Sequence, residues 1–160
     1  DNKPQFERFD IMVLLNSVVN AMNMVYKQKG ISSEVNGGTS CFVWADEYLV
    51  EEVITNYISN ALNHAEEDKN GKKIVSICVR ECENKVRISV FNTGKPIPEE
   101  DVERIWDKFY KVDKARTREY GGNGIGLSIV KAIMNSLNRE CGVKNWDNGV
   151  EFWFELDTKA

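Results

Sequence analysis

No apolar run in this 160-residue chain approaches membrane-spanning length, and no secretory signal opens it. An initiating Met is missing as well. The polar opening Asp1-Asn-Lys-Pro4 points to a piece excised from a longer chain. Positive charge is not in excess: 21 basic residues face 25 acidic ones, for a net charge of −4 and a pI near 5.2. That balance argues against a nucleic-acid-binding surface. The four cysteines (Cys41, Cys78, Cys82, Cys141) lack metal-ligand spacing, which disfavours zinc and fits reduced, partly buried thiols in a cytosolic protein. Internal repeats and low-complexity linkers are also missing. What is left is an ordinary globular composition, 42% hydrophobic and 29% charged. The length predicts a single domain, residues 1–160, with a proper core.

The periodicities predict a strand at 6–9 and an amphipathic helix from Ile11 to Lys29, closed by Gly30. Strands at 31–35 and 41–44 follow, with Asn36-Gly-Gly38 read as the turn joining them. Asp46 caps a long helix to Glu66, in which Leu49, Val53, Tyr57, Ala61 and Ala65 recur every four residues. Strands at 72–81 and 85–91 meet around Cys82-Glu-Asn84. Pro96-Ile-Pro98 opens a short helix through Ile105. Two last strands, 140–146 and 150–156, turn at Asp147-Asn-Gly149. Helices alternate with hairpins, so a mixed sheet covered on one face is expected.

The densest signal is Arg116-Thr-Arg-Glu-Tyr-Gly-Gly-Asn-Gly-Ile-Gly-Leu-Ser-Ile129. Gly122, Gly124 and Gly126 close a cationic loop and open an apolar helix through Ile129, Val130, Ile133 and Leu137. Glycines let a ligand approach the backbone, and the helix start offers unpaired N–H groups to an anion such as phosphate. No Lys-Ser/Thr follows, so this is not a P-loop, nor is the spacing that of a dinucleotide fingerprint. Lys108, Lys111, Lys114, Arg116 and Arg118 precede the glycines, as a solvated loop or as neutralising charge beside a phosphate.

Asn56, Asn60 and Asn63 form one stripe on the long helix. Each costs roughly 0.5–0.7 kcal/mol against Ala in a helix interior, so three in two turns are expensive. A carboxamide oxygen suits Mg²⁺ and its NH₂ suits phosphate. The pattern alone leaves a ligand set and a solvent-facing helix edge equally open. On the strand 86–92, Asn92 shares the parity of Val86, Ile88 and Val90. A polar amide therefore ends an apolar row beside Gly94, either to read a base edge or to start a turn.

In this order the motifs resemble the catalytic and ATP-binding domain of bacterial sensor histidine kinases, in the GHKL ATPase/kinase superfamily. Asn56-Tyr-Ile-Ser-Asn-Ala-Leu-Asn63 is similar to the N box, and Asn92-Thr-Gly-Lys-Pro-Ile-Pro98 to the first glycine box. Trp106-Asp-Lys-Phe-Tyr-Lys-Val-Asp113 resembles the F box, 121–131 the second glycine box, and Gly149-Val-Glu-Phe152 the last.

The resemblance implies an α/β (α+β) two-layer sandwich, with a mixed sheet of about five strands on three main helices and a flexible ATP lid over 109–120. It implies ATP and Mg²⁺ as cofactors. Asn60 would ligate the metal, and Asn56 would support it or touch phosphate; these two carry the catalytic role. The ATP-binding set would be Asn56, Asn60, Asn63, His64, Asn92, Gly94, Ile97, Tyr110, Lys111, Gly122, Gly124, Ile125, Gly126 and Leu127. Asn92 would meet the adenine amine. The chain departs from the family at Asn92, where Asp is usual, and at Pro96 in place of a glycine. It departs again at Asn63, often Lys, and at His64, often aromatic.

The implied reaction is transfer of the γ-phosphoryl group to a histidine on a separate dimerisation and phosphoacceptor domain, with a response regulator downstream. Asn56 stands where hydrolysing relatives carry a Glu, and an amide is no general base, so rapid hydrolysis is disfavoured. His64, the only histidine, lies inside the N-box helix, where a pocket-lining or surface role is expected. The resemblance implies a cytoplasmic location, a monomeric fragment and a homodimeric parent. Two alternatives stay open: a regulatory nucleotide-binding module without phosphotransfer, and another superfamily member such as an anti-sigma serine kinase or an ATP-driven clamp.

Overall fold

The computed structural model describes residues 3–108 and 126–160. Seven strands form one sheet among them: β1 (Glu7–Asp10), β2 (Ile31–Asn36), β3 (Phe42–Ala45), β4 (Lys73–Cys82), β5 (Lys85–Thr93), β6 (Cys141–Trp146) and β7 (Gly149–Asp157). The order is β1-β3-β7-β5-β4-β2, with β6 also paired to β7. Only β2–β4 is parallel, so the sheet is mixed as expected, with seven strands where about five were expected. The described helices are α1 (Ile11–Ala21), α2 (Asn23–Lys29), α3 (Glu47–His64) and α4 (Gly126–Ser136).

Alternation builds the inner face of the sheet. Val75, Ile77 and Val79 of β4, Val86, Ile88 and Val90 of β5, and Val150, Phe152, Phe154 and Leu156 of β7 are all buried. They pack with Val50, Val53, Ile54, Tyr57 and Ile58 of α3 and with Val130, Ile133 and Met134 of α4 in one core. The Tyr57 hydroxyl donates to the Trp153 carbonyl at 2.9 Å, pinning α3 to β7. Asp46 caps α3 by accepting from the Leu49 N–H, and its second oxygen accepts from the Gln5 N–H. Such a cap stabilises a helix by about 1 kcal/mol.

Two connections differ from the expectation. The helix predicted over 11–29 breaks at Met22, whose φ of −105° and ψ of 10° end α1 and start α2. Gly30 closes α2 in the left-handed conformation, as expected. The strands at 31–36 and 42–45 are not a hairpin: β2 pairs with β4, and β3 with β1 and β7. Gly37 between them serves a close crossing instead. A Cβ on Gly37 would lie 2.7 Å from the Val79 Cβ. The helix expected after Pro98 is two short 3₁₀ turns, Glu99–Asp101 and Arg104–Trp106.

Candidate functional site

Three elements converge at one end of the inner layer: the last three turns of α3, the end of β5 with the loop behind it, and the start of α4. At the first junction, a Cβ on Gly126 would come within 3.0 Å of the Asn56 Oδ1. The Asn56 Nδ2 donates to the Glu52 carbonyl at 2.9 Å, which leaves its oxygen directed at α4. The asparagine stripe and the last glycine of the glycine-rich segment are therefore in contact. Asn60 and Asn63 continue the stripe, half-buried, with no side-chain hydrogen bond among the described residues. Their carboxamides suit a metal or a phosphate oxygen.

The second junction joins α3 to the β5 end. The Glu66 N–H donates to the Thr93 carbonyl at 2.9 Å, and a Cβ on Gly94 would stand 3.2 Å from the His64 carbonyl oxygen. Gly94 has a φ of +145°, so both its conformation and its surroundings require glycine. The parity read from the sequence holds: Asn92 lies on the inner face with Val86, Ile88 and Val90, 3% exposed. Its Nδ2 donates to the Thr93 carbonyl at 3.0 Å. No described residue donates to its oxygen, which is the atom an amine would use.

The third junction went unnoticed in the sequence. The Asn145 side chain of β6 accepts from the Ile97 N–H at 2.9 Å and donates to the Ile97 carbonyl at 2.8 Å. The Gly94 N–H donates to the Asn148 carbonyl at 3.0 Å. A Cβ on Gly149 would strike the Asn92 carbonyl oxygen and the Phe91 ring. The only hint was a polar carboxamide at the end of a short strand. Further out, Trp106 meets Phe152 edge-on at 5.8 Å, seating the first F-box-like residue on the core.

Asn56, Asn60, Asn63, His64, Asn92, Gly94, Ile97, Gly126 and Leu127 thus lie on these converging elements. Tyr110, Lys111, Gly122, Gly124 and Ile125 fall outside the described residues, as does the lid segment 109–120. No group of three or more His, Cys, Asp or Glu able to hold a metal occurs among the described residues. The four cysteines are free; Cys41 is buried, and burial raises its thiol pKa above the ordinary value. Among the described residues, no helix is long and apolar enough to cross a membrane.

The family model described as histidine kinase-, DNA gyrase B- and HSP90-like ATPase matches residues 45–160. The chain belongs to that family. It is 44% identical over 95 residues to the sensor histidine kinase WalK of Bacillus subtilis, covering 59% of this chain and 15% of WalK. The catalytic domain of histidine kinase ThkA superposes with a TM-score of 0.82 at 27% identity, covering 97% of this chain and 98% of that one. Full-length ShkA in complex with AMPPNP gives 0.81 at 26% identity, over 99% of this chain and 33% of ShkA. The chain spans about a fifth of the length of the curated relatives it matches. By fold and sequence it is the ATP-binding catalytic domain of a bacterial sensor histidine kinase.

Proposed function

We propose that this domain binds Mg-ATP across the three junctions and passes the γ-phosphoryl group to a histidine on a separate dimerisation and phosphoacceptor domain. The reading rests above all on the contact of Asn56 with Gly126, which sets a carboxamide row beside the start of α4. Residues 1–160 act as one catalytic unit of a homodimeric, cytoplasmic kinase portion, monomeric in isolation, with a response regulator downstream. Likeness to ThkA, whose structure with the response regulator TrrA matches at 0.78, supports that placement.

Phosphoryl transfer needs a held γ-phosphate, neutralised charge and a nucleophile. Asn60 would ligate Mg²⁺, which when bound draws charge from the phosphate oxygens. Asn63 and the N–H groups at the α4 start would hold the phosphates, and the Asn56 oxygen would support the metal. Asn56 does not activate water: its nitrogen is committed to Glu52 and its oxygen carries no basic proton site. The hydroxyl of water is thereby left without a base, which favours an external imidazole as nucleophile.

At the other end, Asn92 would accept from the adenine amine, with His64, Gly94 and Ile97 around the ring. The family's usual Asp would make a charge-assisted bond there; the amide oxygen makes a neutral and weaker one. One of the two Asn92 N–H donors is given to the Thr93 carbonyl and no described residue donates to the oxygen, which leaves the oxygen as an open acceptor and favours a working site over a regulatory remnant. Tyr110, Lys111, Gly122, Gly124, Ile125 and Leu127 complete the set, on the lid and glycine side.

Calorimetric titration of the chain with ATP, with and without Mg²⁺, tests the reading. Wild type should bind in a metal-dependent manner, and Asn60→Ala should weaken Mg-ATP by about tenfold or more, roughly 1.4 kcal/mol. Metal-independent binding that Asn60→Ala leaves unchanged would remove the metal assignment. No binding at millimolar ATP would mark the site as degenerate and the chain as a scaffold rather than an enzyme.

A further inference from the structure

We propose that Asn145 is a positioning residue for the base side of the site, and that the β6–β7 hairpin sets which base fits. The inference rests on the nucleotide-binding reading above and adds a residue that lies in none of its motifs. The Asn145 carboxamide engages both polar backbone groups of Ile97, 48 positions away in sequence, at 2.9 and 2.8 Å. This is the pairing that a neighbouring strand would provide, delivered by one side chain. Of the residue types of this size, only Asn offers a donor and an acceptor in that fork.

The flanking sequence explains why such a clasp is needed. Ile97 stands between Pro96 and Pro98, neither of which has an N–H. The 96–98 segment has a single backbone donor, that of Ile97, and it is spent on Asn145. Ile97 itself is half-buried against the core. Two further contacts brace the same stretch from the same hairpin: the Gly94 N–H on the Asn148 carbonyl, and the bare face of Gly149 against the Asn92 carbonyl. Asn92, Gly94 and Ile97 are thus fixed relative to one another by β6 and β7. The α3–α4 junction, with Asn56 and Gly126, shares none of these contacts.

The two ends of the site should therefore separate experimentally. The whole chain is titrated with ATP, GTP and inorganic tripolyphosphate, each with Mg²⁺, as wild type, Asn145→Ala and the near-isosteric Asn145→Asp, with thermal melting run in parallel. Asn145→Ala leaves the Ile97 groups unpaired, and should weaken ATP about tenfold. It should also narrow the preference for ATP over GTP, while tripolyphosphate binds within about twofold of wild type. Asn145→Asp keeps the acceptor and loses the donor, so it should fold and fall between the two.

Unchanged ATP affinity and base preference in a variant that only melts earlier would make Asn145 a structural staple and overturn the inference. So would equal weakening of ATP and tripolyphosphate. If Asn145→Ala fails to fold, Asn145→Asp decides on the same terms. A wild type that binds neither ATP nor tripolyphosphate refutes the proposed function itself, and this inference with it.

Discussion

Two buried tyrosines show how the same side chain is treated differently by its surroundings. Tyr57 gives its proton to the Trp153 carbonyl and lies against Phe152 and Phe154 at 5.4 and 5.9 Å. Tyr26 of α2, 3% exposed, has a hydroxyl with no hydrogen-bond partner among the described residues, and burial pushes its pKa up to about 12. A buried, unpaired hydroxyl costs free energy that a Phe ring in the same place would not. Tyr26→Phe should therefore be neutral or stabilising by up to about 1 kcal/mol, read from urea unfolding midpoints. Loss of more than that would show that the hydroxyl has a partner. At this scale the placement of the described candidate residues was legible in part. Asn92 announced itself by parity with an apolar row, and the asparagine stripe by its cost within a helix. Asn145 did not, because its partner is a backbone peptide 48 positions away, and no local pattern records that separation.

Among the elements, β4, β5, β6, β7 and α3 were readable because alternation or a four-residue period runs through each, bounded by turn residues. The failures have a common cause. Met22 interrupts α1 and α2 with one changed ψ and neither Pro nor Gly to mark it, while the apolar period continues past it. Asn36-Gly-Gly38 carries hairpin chemistry, and its glycines do take positive φ values of 146° and 90°. Tertiary pairing nevertheless sends β2 to β4 and β3 to β7. Propensity identifies a turn and says nothing about which strands it separates. Gly149 allows a sharper test. Its missing Cβ admits the Asn92 carbonyl and the Phe91 ring, so Gly149→Ala should force β5 and β7 apart. The expected loss is roughly 1–3 kcal/mol of stability by chemical denaturation, with ATP affinity falling alongside. Unaltered stability would mean that β7 shifts without strain.

Under the proposed function the domain hands its phosphoryl group to an acceptor outside it. Its only histidine, His64, closes α3 with its carbonyl against Gly94, within the proposed ATP site rather than opposite it. Incubated alone with ATP labelled at the γ-phosphate, the chain should stay unlabelled; label should appear when a phosphoacceptor domain is added. Acid-labile label on the chain alone would assign the acceptor role to His64. The two-layer architecture and the mixed sheet followed from helices alternating with hairpins. The strand order did not, since β1 and β3 close one edge of the sheet while β2 closes the other.

That order also governs when the protein can exist at all. β7 comes last among the strands yet lies between β3 and β5, and it carries β6 as well. By the time residue 45 leaves the ribosome, the chain holds both edge strands of a sheet whose middle has not been synthesised. The β1–β3 pair and the β2–β4–β5 group are joined into one sheet only once β7 is out. Contacts of such separation form late. A nascent chain stopped before Gly149 should therefore leave these two groups unjoined, with the inner faces of β3 and β5 open to limited proteolysis. Loss of the final nine-residue strand should therefore abolish ATP binding outright, where Asn60→Ala only weakens it.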